Sequence, residues 1–180
     1  MFILETERLI LRDFKKADLP AYIELRNDVK FRRFYSESDV TREKSISLVE
    51  MFIAQSKEQP RTQYQLAITN KNRDLMGSCG IRIEGENTAS IGCELGRKWQ
   101  TSGYAYEAAS TMINYAFSEL AIQRVYAETI SQNKAAVKLC QMLGMHVDAE
   151  LKNNKNFQGR LWDTMILGIL KQDSIMTTPQ

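Results

Sequence analysis

Hydrophobic and polar positions repeat with two different periods along the chain, and the period changes most sharply within residues 91–120. Ile91, Cys93 and Leu95 alternate with glycine and glutamate, which is the period of a β-strand. From Ala105 to Leu120 the apolar residues recur every three or four positions, which predicts a helix with one buried face. The short polar segment 100–103 joins the two, so the pattern predicts a strand, a tight turn and a helix in direct succession.

The same two periods divide the rest of the chain. Strands are predicted at 5–14, 64–69, 75–83, 91–95, 124–130, 145–151 and 161–170, and further helices after residues 18, 39–41 and 131–133. The polar segment 152–160 is predicted to link the last two strands, and 171–180 to form a frayed tail. A chain of 180 residues with 43% hydrophobic content can bury one substantial core. We therefore expect a single domain over residues 1–170.

Charge and hydropathy narrow the classes of protein. The net charge is +2, with acidic and basic residues interspersed, so no basic surface for nucleic acid or an anionic membrane is predicted. No apolar run approaches the length of a bilayer span, and the first residues lack the pattern of a signal peptide. A cytoplasmic protein is expected.

The cysteines and the one histidine exclude further kinds of site. Cys79, Cys93 and Cys140 are far apart and show no CxxC spacing, so neither a disulfide framework nor a metal site is predicted. With His146 as the single histidine and no serine or cysteine elbow, a hydrolase triad is disfavoured.

The turn before the predicted helix has the character of a phosphate site. N–H groups at a helix start have no partner inside the helix and lie at the positive end of its dipole, so they bind anions. Neither GxxxxGK[ST] nor GxGxxG is present. What is present is Gln100-x-x-Gly103-x-Ala105 directly after a strand.

This six-residue pattern resembles the [Q/R]xxGx[G/A] pyrophosphate loop of the Gcn5-related N-acetyltransferases, the GNAT superfamily. A second stretch, from Asn133 to Met145, is similar to the family's Asn-x-x-[S/A]-x-x-[L/V]-x-x-x-x-Gly-[F/M] motif. The opening Thr6–Arg12 and the segment Gly159–Asp163 resemble the ribosomal-protein acetyltransferase branch, the RimJ/RimL type. The resemblance implies an α+β (mixed α/β) fold. Its central sheet would be mostly antiparallel and twisted, with about six or seven strands splayed in the middle and about four flanking helices.

The resemblance also implies acetyl-CoA as the cosubstrate, with no metal. Main-chain groups of the loop would hold the pyrophosphate, the end of the preceding strand would pair with the pantetheine arm, and the motif asparagine would hydrogen-bond that arm. Carried onto this chain, the cofactor-binding residues are Leu95, Arg97, Gln100, Thr101, Ser102, Gly103, Tyr104, Ala105 and Asn133. Thr101 and Ser102 replace the glycine and the cation common in this branch, which removes one positive charge near the phosphates.

Two residues are candidates for proton transfer. Glu94 occupies the strand position where many GNAT enzymes place a general base; the other interpretation is a solvated or ion-paired strand carboxylate. Cys140 stands where many members have a tyrosine acid, and Ala136 where Rim-type enzymes often have a serine. A thiol can protonate a thiolate, but Cys140 also fits an apolar helix face.

The segment around Phe31, Phe34 and Tyr35 mixes aromatic residues with cations and fits no period. It is either a loop over the acceptor site or a surface loop with its aromatic rings packed onto the core; Phe157 is a further candidate for acceptor contact. The function implied is acetyl transfer to a primary amine, of a protein N-terminus or a small molecule, by direct attack in a ternary complex. The alternative is a CoA-binding module that senses without turnover. A homodimer would be in keeping with the resemblance.

Overall fold

The computed structural model describes residues 1–174, which form one eight-stranded sheet with helices on both faces. The strands are β1 (Ile3–Glu5), β2 (Leu9–Asp13), β3 (Gln63–Asn70), β4 (Leu75–Ile83), β5 (Thr88–Leu95), β6 (Arg124–Ile130), β7 (His146–Phe157) and β8 (Arg160–Leu170). The helices are α1 (Leu19–Arg26), α2 (Arg42–Gln55), α3 (Tyr104–Glu119) and α4 (Lys134–Met142). The sheet order is β1-β2-β3-β4-β5-β6-β8-β7.

The sheet opens in its middle, between β5 and β6. All other neighbours pair antiparallel, whereas β5 and β6 run parallel and pair only at Thr88–Ser90 with Arg124–Tyr126. Beyond Ser90 the two strands diverge, so the C-terminal half of β5 has a partner on one side only. This divergence produces a cleft between the two halves of the sheet.

The helices form two layers with different cores. α3 packs on β4 and β5, and its alanine-rich face lies in the larger cluster of buried residues, with Met112 and Ile113 fully buried. On the other face of the sheet, α1 and α2 pack together around a smaller aromatic cluster that includes Phe14, Tyr22 and Phe52. Such layering on both faces buries each side of the central strands.

The predicted class of fold is confirmed, and two boundaries need correction. The predicted first strand is a hairpin of β1 and β2, which makes the strand count eight instead of six or seven. The segment 152–160, predicted as a polar linker, is mostly strand, because β7 continues to Phe157 and β8 begins at Arg160. Residues 152–156 are all exposed, so this half of β7 carries no alternation of apolar and polar residues.

The chain after β8 is partly ordered against the domain. Residues 171–173, part of the predicted tail, form a short 3-10 helix. Lys171 donates from its main-chain N–H to Gln123 at 2.9 Å and from Nζ to the carbonyl of Phe117 at 2.6 Å. Residues 175–180 lie outside the described part of the chain.

Candidate active site

The turn between β5 and α3 presents unpaired main-chain N–H groups. Gly103 caps α3 in the left-handed conformation, with φ of 80°, and Thr101 before it also has positive φ, 75°. The first bond into the helix runs from the N–H of Glu107 to the carbonyl of Gly103. The N–H groups of residues 103–106 therefore have no partner within α3 and lie at the positive end of its dipole. This arrangement suits a phosphate or diphosphate.

A cation that the sequence did not predict lies beside this turn. Arg8 donates from Nη1 to the carbonyl of Ser102 at 3.0 Å, and its guanidinium lies 4.5 Å from the centre of the Tyr104 ring. A Cβ atom added to Gly103 would stand 3.5 Å from Arg8 Nη2. The positive charge that Ser102 does not supply is thus provided by the β1–β2 turn.

Glu107 in the first turn of α3 fixes Arg8 in this position. Its carboxylate accepts from Arg8 Nε at 2.6 Å and from the hydroxyl of Thr6 at 2.5 Å. Burial alone would raise the pKa of Glu107, but the hydrogen bonds from Thr6 and Arg8 outweigh it and lower the pKa. The Thr6-Glu7-Arg8 stretch therefore serves to anchor the loop, a role visible only once the hairpin and α3 are brought together.

The edge of β5 supplies main-chain groups to the cleft. The main-chain N–H of Gly96 donates to the carbonyl of Met76, and the N–H of Glu84 donates to the carbonyl of Thr88. The even-numbered residues of β5 therefore form their main-chain hydrogen bonds with β4. In an antiparallel ladder the alternate residues then direct their N–H and C=O groups to the other edge. Past the β5–β6 pairing these are Cys93 and Leu95, which face the cleft.

Of the two strand residues predicted to pair with a pantetheine arm, one lies in the strand. Leu95 ends β5, and its carbonyl accepts from Gln100 Nε2 at 3.0 Å. Arg97, predicted to continue the extended segment, instead opens a 3-10 helix at Arg97–Trp99. The reason is that the chain must turn after Gly96 to reach α3.

The wall of the cleft opposite β5 is α4. Asn133 caps this helix by accepting from the N–H of Ala136 at 3.3 Å, and both residues line the cleft. Cys140 lies one turn after Ala136 and two turns after Asn133. It is 6% exposed and also lines the cleft. Burial raises the pKa of the Cys140 thiol to about 11, so the thiol is protonated at neutral pH.

The cleft continues through the sheet into a cavity of about 500 Å³. Its wall on the α4 side includes Cys93, Asn133 and Cys140, and its other wall, on the α1–α2 face, includes Tyr22 and Glu94. One continuous space therefore connects the main-chain edge of β5 with a cluster of polar side chains. Two reactants could meet there from opposite faces of the sheet.

Glu94 is at the centre of that cluster, which comprises Glu94, Tyr22, Arg26, Tyr35 and Ser78. Its Oε1 accepts from the hydroxyl of Tyr22 at 2.6 Å and from that of Ser78 at 3.0 Å. Its Oε2 accepts from Arg26 Nη1 at 2.9 Å and from the hydroxyl of Tyr35 at 3.2 Å. The carboxylate is thus ion-paired, as the second interpretation of this residue had it, yet it also faces the cavity. Four donors hold it, and Tyr35 is the most distant.

Burial and the charge of Glu94 together set the protonation of the other groups in this cluster. Burial, followed by the nearby Glu94 carboxylate, raises the pKa of Tyr22 and of Tyr35 well above the ordinary value, so both hydroxyls remain donors. Burial opposes the charge of Arg26, but attraction to Glu94 and the two tyrosines raises its pKa. The two hydroxyl donors and the Arg26 cation therefore persist at all moderate pH values.

The four aromatic residues predicted to contact an acceptor occupy different places. Tyr35 lines the cavity, and Phe31 stacks behind it with ring centres 5.2 Å apart. Phe34 and Phe157 instead pack on Trp162, at 5.7 Å and 5.1 Å. Both interpretations of the segment hold in part, since one ring faces the cavity and the others cover apolar surface.

Sequence reasoning missed Tyr22, Arg26 and Ser78. α1 shows Tyr22 as a core residue and Arg26 as an ordinary last-turn cation, and nothing local links either to Glu94, which is 72 and 68 residues away. The feature that could have marked Arg26 is its burial as a cation on a helix, and burial cannot be read from the sequence.

Among residues 1–174, no group of acidic, cysteine or histidine side chains is arranged to hold a metal ion. Within the same residues, no helix has the length and apolar character needed to cross a membrane.

Comparisons with known proteins agree with this geometry. A family model described as an acetyltransferase (GNAT) domain matches residues 8–146. The uncharacterized N-acetyltransferase p20 of Bacillus licheniformis is 28% identical over 178 residues, covering 96% of this chain and 98% of that protein.

Two solved structures share the fold. RimL, a ribosomal L7/L12 α-N-protein acetyltransferase in complex with coenzyme A, superposes with a TM-score of 0.82 at 16% identity, over 94% of this chain and 98% of that one. Spermidine N-acetyltransferase from Vibrio cholerae, in complex with CoA and spermine, gives 0.79 at 18% identity, over 93% and 98%. Because the family model covers well over half of the sequence, the chain belongs to the GNAT family of N-acetyltransferases.

Proposed function

We propose that the protein transfers the acetyl group of acetyl-CoA to a primary amine by direct attack in a ternary complex. One observation carries the proposal: a single cavity joins the unpaired main-chain edge of β5 to the Glu94 cluster on the opposite face of the sheet. Solved structures of the same fold contain CoA, in RimL and in the spermidine enzyme. A thioester on one face and an amine on the other would meet inside this cavity.

The chain has a group for each part of the cosubstrate. The N–H groups of residues 103–106, with Arg8 beside them, would hold the diphosphate. Main-chain groups of Cys93 and Leu95 would pair with the amides of the pantetheine arm, and the side chain of Asn133 would hydrogen-bond it from α4. A β5 N–H directed into the cleft also suits the negative charge that develops on the thioester oxygen.

Glu94 is the proposed acceptor of the amine's proton. An amine with a pKa of roughly 8 to 10 must lose a proton before it attacks at neutral pH. Both oxygens of Glu94 already accept two hydrogen bonds, so an incoming amine must displace one donor. We propose that it displaces Tyr35, whose bond of 3.2 Å is the longest of the four and which lies on a short segment after α1.

The group that protonates the leaving thiolate is less well matched to its task. Cys140 faces the cavity, but its pKa of about 11 makes proton transfer to a thiolate of ordinary basicity uphill by roughly 3 kcal/mol. We therefore propose that water relays to the thiolate the proton that Glu94 takes from the amine, which regenerates the carboxylate, and that Cys140 contributes to the apolar wall.

The finer assignment is to the RimJ/RimL-like branch. Its support is the Thr6-Glu7-Arg8 opening, which anchors the phosphate loop through Glu107, and the likeness of fold to RimL. The relatives of this fold act on a ribosomal protein in one case and carry spermine in another, so the fold by itself leaves the amine open. A homodimer stays a prediction.

The test has two stages. Acetyl-CoA is first titrated into the protein by calorimetry, and release of free CoA thiol is then followed with a mixture of primary amines, including peptides with free N-termini and polyamines. We expect micromolar affinity for CoA and thiol release that depends on an amine. Binding without release on any amine would favour the sensing module, and absence of binding would contradict the proposal.

A further inference from the structure

Gly92 is an exposed residue in a central strand, and packing gives no reason for it. A Cβ atom added to Gly77 would come within 2.0 Å of the Glu94 carbonyl, and one added to Gly80 within 2.0 Å of Gln65 Oε1. Both glycines are needed for close packing. A Cβ added to Gly92 would meet no atom of residues 1–174 within 4 Å, and the backbone there does not require glycine. The open space above Gly92 is therefore not filled by the protein itself.

This space joins two cavities into one groove. Besides the cavity at Glu94, a second cavity of about 320 Å³ lies under α2, and Gly92 lines both. The two also share Phe52, Gln65 and Arg82. The groove thus runs along β5, from Glu94 over Gly92 to Ser90. At about 3.3 Å for each residue, this part of β5 is roughly 13 Å long, the length of about four residues of extended peptide.

The groove is lined by carboxamides whose hydrogen bonds leave one side free. Gln65 Nε2 donates to the hydroxyl of Ser78 at 3.0 Å, and that hydroxyl donates to Glu94. This chain of bonds fixes the amide, and Gln65 Oε1 lies over Gly80 with no protein donor in the described chain. Further along, Gln55 Nε2 donates to Gln63 Oε1 at 2.9 Å, which leaves Gln55 Oε1 and Gln63 Nε2 available.

These groups match a peptide main chain better than a polyamine. A peptide presents both N–H donors and C=O acceptors, which pair with carboxamides, whereas a polyamine presents only donors and is bound by net negative charge. The far end of the groove carries Arg82 as well as Glu84 and Glu128, so it is not uniformly acidic.

The opposite end of the acceptor cavity is bridged. Gln158, at the tip of the β7–β8 hairpin, donates from Nε2 to the carbonyl of Tyr35 at 2.9 Å and to that of Arg32 at 3.3 Å. The segment that carries Tyr35 is thereby tied to the hairpin. An acceptor longer than its reacting amine therefore has its space along the groove under α2.

From these observations we propose that the groove over Gly92 binds the first residues of an extended peptide whose terminal amine lies at Glu94. The inference rests on the proposed function for the position of the amine, and it makes Gly92 a determinant of acceptor specificity. A side chain at residue 92 would begin in open space, since its Cβ meets no neighbouring atom within 4 Å, and would extend into the groove.

Equilibrium binding to the protein saturated with CoA tests the groove separately from turnover. The probes are alanine amide and alanine-based peptide amides of two, four and six residues, all with free N-termini. We expect affinity to rise at least tenfold from one to four residues and to stay level at six. Gly92→Val should lower the affinity of the four-residue peptide at least tenfold, and Gly92→Ala by a smaller factor. CoA affinity and melting temperature should not fall. The matched control is Gly85→Val, a change on the same hairpin that also meets open space, and it should alter none of these values by more than twofold.

Affinity independent of peptide length, or a Gly92→Val protein that binds the four-residue peptide as the parent does, would overturn the inference. Peptide binding with the expected dependence but no acetyl transfer would support the groove and contradict the proposed function. Acetyl transfer with a kcat/KM that is the same for alanine amide and for the longer peptides would support the proposed function and contradict the groove.

Discussion

The two halves of the site are built in different ways. The turn at the start of α3 is formed by consecutive residues, and the groups proposed to bind there are main-chain N–H groups whose direction follows from local backbone angles. The Glu94 cluster joins side chains from α1, β4, β5 and the segment at Tyr35, over sequence separations of 16 to 72 residues. A local motif can encode the first kind of site, whereas the second depends on the packing of the whole domain.

This contrast predicts that the cluster is the more sensitive half, and Glu94→Gln should give the largest effect. A lost general base typically slows turnover about 10² to 10⁴-fold. Because glutamine keeps the shape of glutamate, affinity for CoA should stay within about twofold. Steady-state kinetics across pH provide the measurement. An unchanged rate and profile would show that Glu94 has only a structural role.

Arg26→Met should reveal how much the cluster contributes to stability. Arg26 is 4% exposed and pairs with a carboxylate that is 14% exposed, and removing one partner of a buried pair leaves the other charge uncompensated. We expect the free energy of unfolding to fall by about 3 kcal/mol, measured by urea denaturation.

The matched control for that variant is Arg124→Met. Arg124 pairs with Asp148 at 2.5 Å, but both side chains are at least 34% exposed, so the loss should be below about 1 kcal/mol. Equal losses in the two variants would mean that the Glu94 cluster is not held as a buried unit.

Gly103→Val tests the local half. Valine disfavours the left-handed conformation, and its branch would occupy space at the phosphate cradle beside Arg8. We expect CoA affinity to fall about 100-fold, equivalent to about one or two lost hydrogen bonds to a charged group. The variant Gly159→Val is the control, since Gly159 also has positive φ and lies at an open turn. Comparable loss of CoA affinity in both would place the diphosphate elsewhere.

Tyr35→Phe distinguishes a displaced donor from a proton donor. If the amine takes the place of the Tyr35 hydroxyl at Glu94, removing that hydroxyl should change kcat less than about fivefold, because a displaced bond contributes little to the transition state. A fall of a hundredfold or more in kcat would contradict the displacement and show that the hydroxyl acts on the reacting groups.

Cys140→Ala should have the smallest effect on turnover, within about threefold, because a thiol with a pKa of about 11 is a weak acid.

The pH dependence of stability gives a second measure of the Cys140 thiol. Unfolded Cys140 loses its proton near pH 9 and folded Cys140 near pH 11, so the unfolded state binds fewer protons between these values and stability falls as pH rises. Alkaline denaturation of Cys140→Ala should show a smaller fall. An equal fall would mean that this thiol is not buried in solution.

The sequence was most informative where structure depends on neighbouring residues. The change of period between Leu95 and Ala105 and the helix start predicted at 131–133 follow from local rules, and the structure has both. The succession of central strands along the chain was likewise predictable, since each carries its own pattern of apolar residues, and the class of fold was implied by the resemblance to the GNAT family.

The sequence was least informative where long-range contacts decide. The second half of β7, residues 152–157, reads as a linker because its side chains are exposed, and pairing with β8 alone makes it a strand. Arg8 shows its place beside Ser102 only after β1, β2 and α3 assemble. Tyr22 and Arg26 likewise show their role only in the folded protein, because their partner Glu94 lies on β5, 72 and 68 residues later in the sequence.

The most direct test of the central claim is a crystal structure of the protein with CoA. We expect the diphosphate within hydrogen-bond distance of the N–H groups of residues 103–106. We also expect the pantetheine arm between β5 and α4, with the thiol in the cavity next to Glu94. CoA bound at another surface, or with its thiol remote from Glu94, would contradict the proposed site.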